Sequence, residues 1–221
     1  MKKGLTEVVF ILNRSGSMRG LEEDTIGGFN SVLAKQKQAR EEGADSIVTT
    51  VLFDNRIELL HDRFPLDSVE KISEKDYWVR GCTALLDAVG RTIKKTEAAQ
   101  KNLPEDKRAD KVLFVIITDG FENASREFSY GQVKKMIEAH EEDKWEFLFL
   151  GANIDAAAEA EKIGIRRERS ARYVPDGVGT GTLYGELGDV VYEAMSCDCC
   201  ESFEIDDDWS AGIDEDYKNR G

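Results

Sequence analysis

Long apolar runs, histidine and proline are all scarce in this 221-residue chain. The longest uninterrupted apolar run is Val112 to Ile117, far short of the ~20 residues a membrane-spanning helix needs. Of the four cysteines, three crowd into Cys197-Asp198-Cys199-Cys200. That spacing fits neither the spread framework of a disulfide-bonded secreted domain nor, with only His61 and His140 elsewhere, the paired knuckles of a structural zinc site. Reduced thiols are the expectation. Positive charge is short as well: 44 acidic residues against 30 basic give a formal charge of -14. A nucleic-acid or anionic-membrane surface needs clustered Lys and Arg, so both are excluded, and cationic partners or a divalent metal fit better.

Met1-Lys2-Lys3 opens like a signal peptide, but Glu7 and the short run Val8 to Leu12 follow, with no cleavage site after them. An unexported, cytoplasmic protein is expected. Such a length supports one full domain and a short appendage.

What is present is an alternation. Val8–Leu12, Ile47–Phe53, Val112–Ile117 and Phe147–Leu150 are nearly continuous apolar runs, the pattern of strands buried on both faces. Between them, Ile26, Phe29 and Leu33, then Leu85, Ala88, Val89 and Ile93, then Val133, Met136 and Ile137, and finally Leu183, Leu187, Val190 and Ala194 each line one face of a helix. Strands alternating with helices imply a doubly wound α/β fold: a mostly parallel six-stranded sheet with helices on both faces. One hairpin breaks the pattern, because Asp54-Asn55 is a turn dipeptide and Arg56-Ile57-Glu58-Leu59 alternates. It adds a single antiparallel edge strand. A last strand is expected near Ser170 to Val174. The prolines Pro65, Pro104 and Pro175 all fall between these elements, as they must.

The domain is expected to span residues 1–196, leaving 197–221 as a Cys-containing acidic appendage. From Glu201 to Gly221 there are eight acidic residues, two basic ones and no evident apolar face. A flexible, solvated tail or a partner-docking peptide is the expectation.

Three short pieces carry chemistry: Asn13-Arg14-Ser15-Gly16-Ser17, Gly81-Cys82-Thr83 and Thr118-Asp119-Gly120. In a parallel sheet the ligand site lies beyond the carboxyl ends of the strands, where the first and third pieces fall; Thr83 precedes a helix start. Each piece alone is explained by turn chemistry or a helix cap. Together, and in this order, they point to one pocket holding two serine hydroxyls, a threonine hydroxyl, a carboxylate and an amide. Hard oxygen donors select Mg²⁺, Mn²⁺ or Ca²⁺ over zinc or copper.

On these residues the chain resembles the von Willebrand factor type A domain family and its metal-ion-dependent adhesion site, whose pattern is Asp-x-Ser-x-Ser, a distant Thr, and an Asp in a Thr-Asp-Gly-like turn. Ser15, Ser17, Thr83 and Asp119 match, and Asn13 departs. The resemblance is to the stand-alone, unexported type of bacteria and their phages. It implies a Mg²⁺ held by the three hydroxyls, with positions 13 and 119 acting directly or through water, and an Asp or Glu carboxylate of a protein partner completing the octahedron. No covalent chemistry is implied. No histidine neighbours Ser15 or Ser17 in sequence to serve as a general base, so an enzyme is not expected.

Asparagine keeps the shape of aspartate but not its charge. A divalent ion and a carboxylate about 5 Å apart attract by about 2 kcal/mol in water and about 7 at an effective dielectric near 20. Metal binding should therefore be at least about tenfold weaker than in an aspartate version. An acidic ligand would supply the missing charge and firm up the metal.

Two rival readings remain: a metal-free interaction scaffold with a degenerate site and tail-mediated binding, and a Mg²⁺-dependent phosphohydrolase using Asp119. Around the site, Arg14, Glu22, Glu23, Asp24, Glu122 and Asn123 are expected on a solvated rim. Asp87 suits a helix start, Cys82 a buried small residue, and Gly177-Val178-Gly179-Thr180-Gly181 a flexible connection.

Overall fold

The computed structural model describes residues 4–143, 145–197 and 204–221. The elements follow the expected alternation: β1 (Leu5–Asn13), α1 (Glu22–Glu41), β2 (Asp45–Phe53), β3 (Ile57–Pro65), α2 (Leu85–Asn102), β4 (Lys111–Thr118), α3 (Tyr130–Glu142), β5 (Trp145–Gly151), α4 (Ala156–Lys162), β6 (Ser170–Arg172), α5 (Gly177–Ser196) and α6 (Ala211–Arg220). Six strands form one sheet in the order β3-β2-β1-β4-β5-β6. All neighbours pair in parallel except β2 and β3, which form the antiparallel hairpin expected at the edge.

Period-two alternation sorts the strand residues between two cores. Val8, Phe10 and Leu12 of β1 face a cluster with Phe29 and Val32 of α1 and Leu187 and Val191 of α5. Val9 and Ile11 face the opposite cluster, built with Val89 and Ile93 of α2, Val133 and Ile137 of α3 and Ala160 of α4. Helices therefore cover both faces, which is why the inner strands read as unbroken apolar runs.

Chain direction reverses sideways at β1. Its crossover leads to β2 on one side, while its other neighbour, β4, leads on to β5. Asn13 sits in register with Phe53, and Leu12 with Ile117, so the ends of β1 and β4 meet at this switch point. Such a parting of loops is where open α/β sheets place their ligands.

The acidic segment differs from expectation over its described residues, 204–221. Ile205, Trp209 and Ile213, four residues apart, are buried in the same core as α1 and α5. The Trp209 indole N–H donates to the Glu168 carbonyl at 2.8 Å, and Arg220 bonds Asp176 and Asp216. Burying such side chains stabilises by about 1.5–3 kcal/mol each, enough to hold an otherwise acidic piece of chain down. Cys199 and Cys200 lie outside the described residues; Cys197 is a free thiol.

The glycine-rich stretch is also not a loose connection. Gly177 starts α5, whose cap is Asp176, its side chain accepting from Gly179 N at 2.8 Å. A side chain at position 179 would collide with the Val174 carbonyl, its Cβ 2.1 Å from the oxygen. The glycine is there for close approach, not flexibility. The final strand stops at Arg172, two residues earlier than expected.

Candidate metal centre

Asn13, Ser15, Ser17, Thr83 and Asp119 come together at the switch point. Ser15 Oγ lies 2.9 Å from Ser17 Oγ and accepts from Thr83 Oγ1 at 2.9 Å. Ser17 Oγ donates to Asp119 Oδ1 at 2.5 Å. Asn13 closes the group: its Nδ2 donates to Asp119 Oδ1 at 3.2 Å and to Thr118 Oγ1 at 3.0 Å, while its Oδ1 accepts from Ser15 N at 2.7 Å. That last bond is an Asx turn, the local reason the chain reverses directly after β1. Ser15, Thr83 and Asp119 are buried and Ser17 is exposed, so the cluster opens outward on the Ser17 side.

Each loop is held by another. Gly16 N donates to the Gly81 carbonyl and Arg80 N to the Arg14 carbonyl. Gly81 adopts a φ of +70°, and a Cβ there would lie 2.2 Å from Asn55 Oδ1. Beneath, the buried Tyr77 hydroxyl donates to the Asn13 carbonyl at 2.6 Å. Burial, reinforced by the neighbouring Tyr184, pushes that phenol well above its ordinary value, so it is a donor at any physiological pH.

Asn123 and Glu122, placed on the rim by sequence, do more than line it. Asn123 Oδ1 accepts from Thr83 N at 2.9 Å, and its own N–H returns to the Thr83 carbonyl. Glu122 caps α2 by accepting from Leu86 N at 2.9 Å. Asp87 accepts from the backbone N–H groups of Arg126, Glu127 and Phe128 at 2.8, 2.9 and 2.9 Å. The helix start and the loop after β4 are thus locked together, and Thr83 is fixed between them.

Arg14 is not solvated but fully buried. Its Nε donates to Asp54 Oδ2 at 3.2 Å and its Nη2 to Glu58 at 2.6 Å, with the Trp78 ring 5.2 Å from its guanidinium carbon. Asp54 also receives Arg80 at 2.7 Å. The signal for this network was available: β2 runs parallel to β1, so Asp54 had to emerge beside residue 14. Cys82 differs too, being exposed beside the inward-turned Thr83.

The donor set suits a divalent ion. Among the described residues the buried Asp119 Oδ2 has no hydrogen-bond partner, and such a group costs free energy until something pairs with it. Burial pushes the Asp119 carboxyl above its ordinary range, only partly offset by the Ser17 hydroxyl and a backbone N–H. A cation would reverse that shift. Gly120 leaves the approach narrow, a Cβ there reaching within 3.0 Å of Ser17 Oγ.

No protein-family model and no curated protein sequence matches the chain. Solved structures do. The open-form pilus adhesin SpaC of Lactobacillus rhamnosus GG aligns with a TM-score of 0.67 at 9% identity over 88% of this chain and 31% of that one. The von Willebrand factor domain of the type V pilus tip protein Mfa5 of Porphyromonas gingivalis gives 0.61 at 10% identity, covering 93% and 99%. Proximal thread matrix protein 1 of the mussel byssus, with a zinc-occupied MIDAS motif, gives 0.58 at 11%, covering 86% and 46%. This chain thus spans about half of that mussel protein. At these identities the likeness is one of architecture, and the architecture is that of a von Willebrand factor type A domain.

Proposed function

We propose that the chain is a non-enzymatic protein-binding module of the adhesion type, in which a divalent cation held at the sheet's switch point receives an Asp or Glu carboxylate from a protein partner. Ser15, Ser17, Thr83 and Asp119 would hold the ion, with Asn13 as a neutral fifth member. Mg²⁺ is the favoured ion and Mn²⁺ or Ca²⁺ the alternatives, because every donor is a hard oxygen. The observation that carries this reading is the buried, unpartnered Asp119 Oδ2 beside three clustered hydroxyls. The ion would supply a Lewis-acidic seat for an anion. The chain's own residues orient the hydroxyls and bury Asp119; that burial holds its carboxyl above the ordinary range, and the ion would favour the charged form.

Hydrolytic chemistry has little support. His61 is engaged by Thr50 at 3.0 Å on the edge hairpin, and His140 stacks on Trp145, so neither stands beside a serine of the site. A cytoplasmic location belongs to this proposal and rests on the sequence; among the described residues no helix is long and apolar enough to cross a membrane.

A metal-free scaffold is the second reading, favoured by one bond. Asn13 Nδ2 donates to Asp119 Oδ1, so the amide already offers the carboxylate partial positive charge where a cation would otherwise be needed. Tail-mediated capture fits less well, since Trp209 and Ile213 are spent on the core. Calorimetric titration of Mg²⁺ and Mn²⁺, with and without an acidic peptide, separates the two. Metal binding that tightens with peptide supports the module; peptide binding indifferent to chelator supports the scaffold.

A further inference from the structure

The loops that fix Thr83 also wall a cleft of about 680 Å³ whose lining includes Asn55, Cys82, Arg91, Asn123, Ser125 and Arg126. It adjoins the candidate metal centre, because Cys82 is the sequence neighbour of Thr83 and Asn123 its hydrogen-bond partner. The acidic groups in it are already engaged. Glu127 pairs with Arg91, Nε to Oε2 at 2.7 Å, and Asp87 is saturated by three backbone N–H donors. Arg126 is exposed and, among the described residues, has no ion-pair partner. Arg126 thus sets an uncompensated guanidinium on this cleft, on a chain of net charge -14.

We propose that this cleft is a second subsite that takes a second carboxylate of the same partner segment, with Arg126 as its counter-ion. The proposal rests on the metal-module reading above and specifies its ligand: an extended peptide with the pattern acid-x-acid. The spacing follows from the fold. Asp87, which holds the Arg126 backbone N–H at 2.8 Å, lies in the first turn of α2, which begins two residues past Thr83, so the cleft opens within a turn's rise of ~5.4 Å from the helix start. An extended peptide covers that distance in two residues at ~3.3 Å each, and residues i and i+2 point to the same side. One carboxylate at the centre therefore brings the next-but-one side chain over the cleft. Asn123 and Ser125 add neutral polar groups beside it, and Arg91, already paired with Glu127, contributes little net charge.

The test is a titration of ¹⁵N-labelled protein in Mg²⁺ with two synthetic peptides, one Ala-rich with a single Glu and one with Glu-Ala-Glu, followed by amide shifts. The two-acid peptide should bind about fivefold more tightly, the upper range for one exposed ion pair, with additional shifts at Ser125 to Glu127. Arg126→Ala should erase that advantage while leaving the single-acid peptide and Mn²⁺ affinity unchanged; Arg126→Lys should retain part of it. Dispersion of the Arg126→Ala spectrum reports that the variant is folded. An advantage that survives Arg126→Ala, or no advantage in the parent, overturns the subsite while leaving the module reading intact. Binding of both peptides unaffected by chelator overturns both.

Discussion

Asparagine 13 is the residue whose replacement tests the most physics. In Asn13→Asp an oxygen replaces Nδ2, which now donates to Asp119 Oδ1 at 3.2 Å and to Thr118 Oγ1 at 3.0 Å. Both side chains are almost fully buried, 1% and 2% exposed. Without a cation, two carboxylates about 4 Å apart repel by about 4 kcal/mol at an effective dielectric of 20. The pair would relieve this by taking up a proton, and stability in chelator would fall as pH rises from the ordinary carboxylate range through the raised folded value. With a divalent ion present the sign reverses, since a second carboxylate at about 5 Å adds about 2 to 7 kcal/mol of attraction. At ~1.4 kcal/mol per tenfold, Mg²⁺ should bind at least about tenfold more tightly than in the parent. Thermal unfolding in chelator and in excess Mg²⁺ reads both effects: the variant should melt below the parent in the first and gain more from metal in the second. Equal Mg²⁺ affinity in the two proteins, with no loss of stability in chelator, would refute the placement of residue 13 beside an ion.

Asp87→Asn should cost about 1–3 kcal/mol at neutral pH in a denaturant titration, because it removes a charged acceptor for three backbone N–H groups. Burial opposes ionisation of Asp87, yet those donors and Arg91 outweigh it and hold the carboxyl below its ordinary 3.8, so the stabilisation is present above that value and vanishes as pH falls through the lower folded one. The gap between parent and variant should therefore close in acid; a gap constant down to pH 2 would contradict the assignment. Trp209→Ala should cost about 3–5 kcal/mol and accelerate amide exchange in α6 ahead of the rest; unchanged exchange there would show the helix is held by its ion pairs instead. Gly81→Ala forces a left-handed residue and a clash with Asn55, so stability should fall by about 1–2 kcal/mol and Mn²⁺ affinity with it as the Gly16 contact shifts. Unaltered Mn²⁺ affinity would separate this loop from the metal.

How much was legible in the sequence follows from which forces act locally. Apolar runs and helical spacing exposed the sheet, its one antiparallel strand and the switch point, because period is a local property. The five clustered residues were legible for the same reason: a motif spaced 13, 15 and 17 and a turn after β4 depend only on strand ends. Arg14 was misplaced because its burial depends on Asp54 and Glu58, 40 and 44 residues away, which only the parallel pairing of β1 with β2, and not the local pattern around residue 14, brings beside it. The acidic segment misled through composition. Its charge masked three apolar residues at four-residue spacing, and only the groove beside α5 shows that they suffice to dock it. Gly179 misled because a close approach and a flexible hinge look alike in sequence.

Hydrogen bonds between the loops hold the five candidate residues together, and this has a measurable consequence. Gly16 to Gly81, Arg80 to Arg14 and Asn123 to Thr83 are backbone bridges across three separate loops, and Tyr77 fixes the Asn13 carbonyl from below. All five candidate side chains are linked by hydrogen bonds through the two serines and Asp119, and Asn13 supplies a donor where bare carboxylates would repel. Removing metal from the parent should therefore leave the fold intact. The stability change should be only the binding linkage, about 0.4 kcal/mol when free Mg²⁺ equals its dissociation constant, or a degree or two in Tm for a domain of this size. A chelator that unfolds the protein, or lowers Tm by tens of degrees, would refute this and make the ion a structural element. On the module reading proposed above, such preorganisation would leave the oxygens gathered without the ion, so that a partner carboxylate would meet a formed site and the main cost of binding would be desolvation.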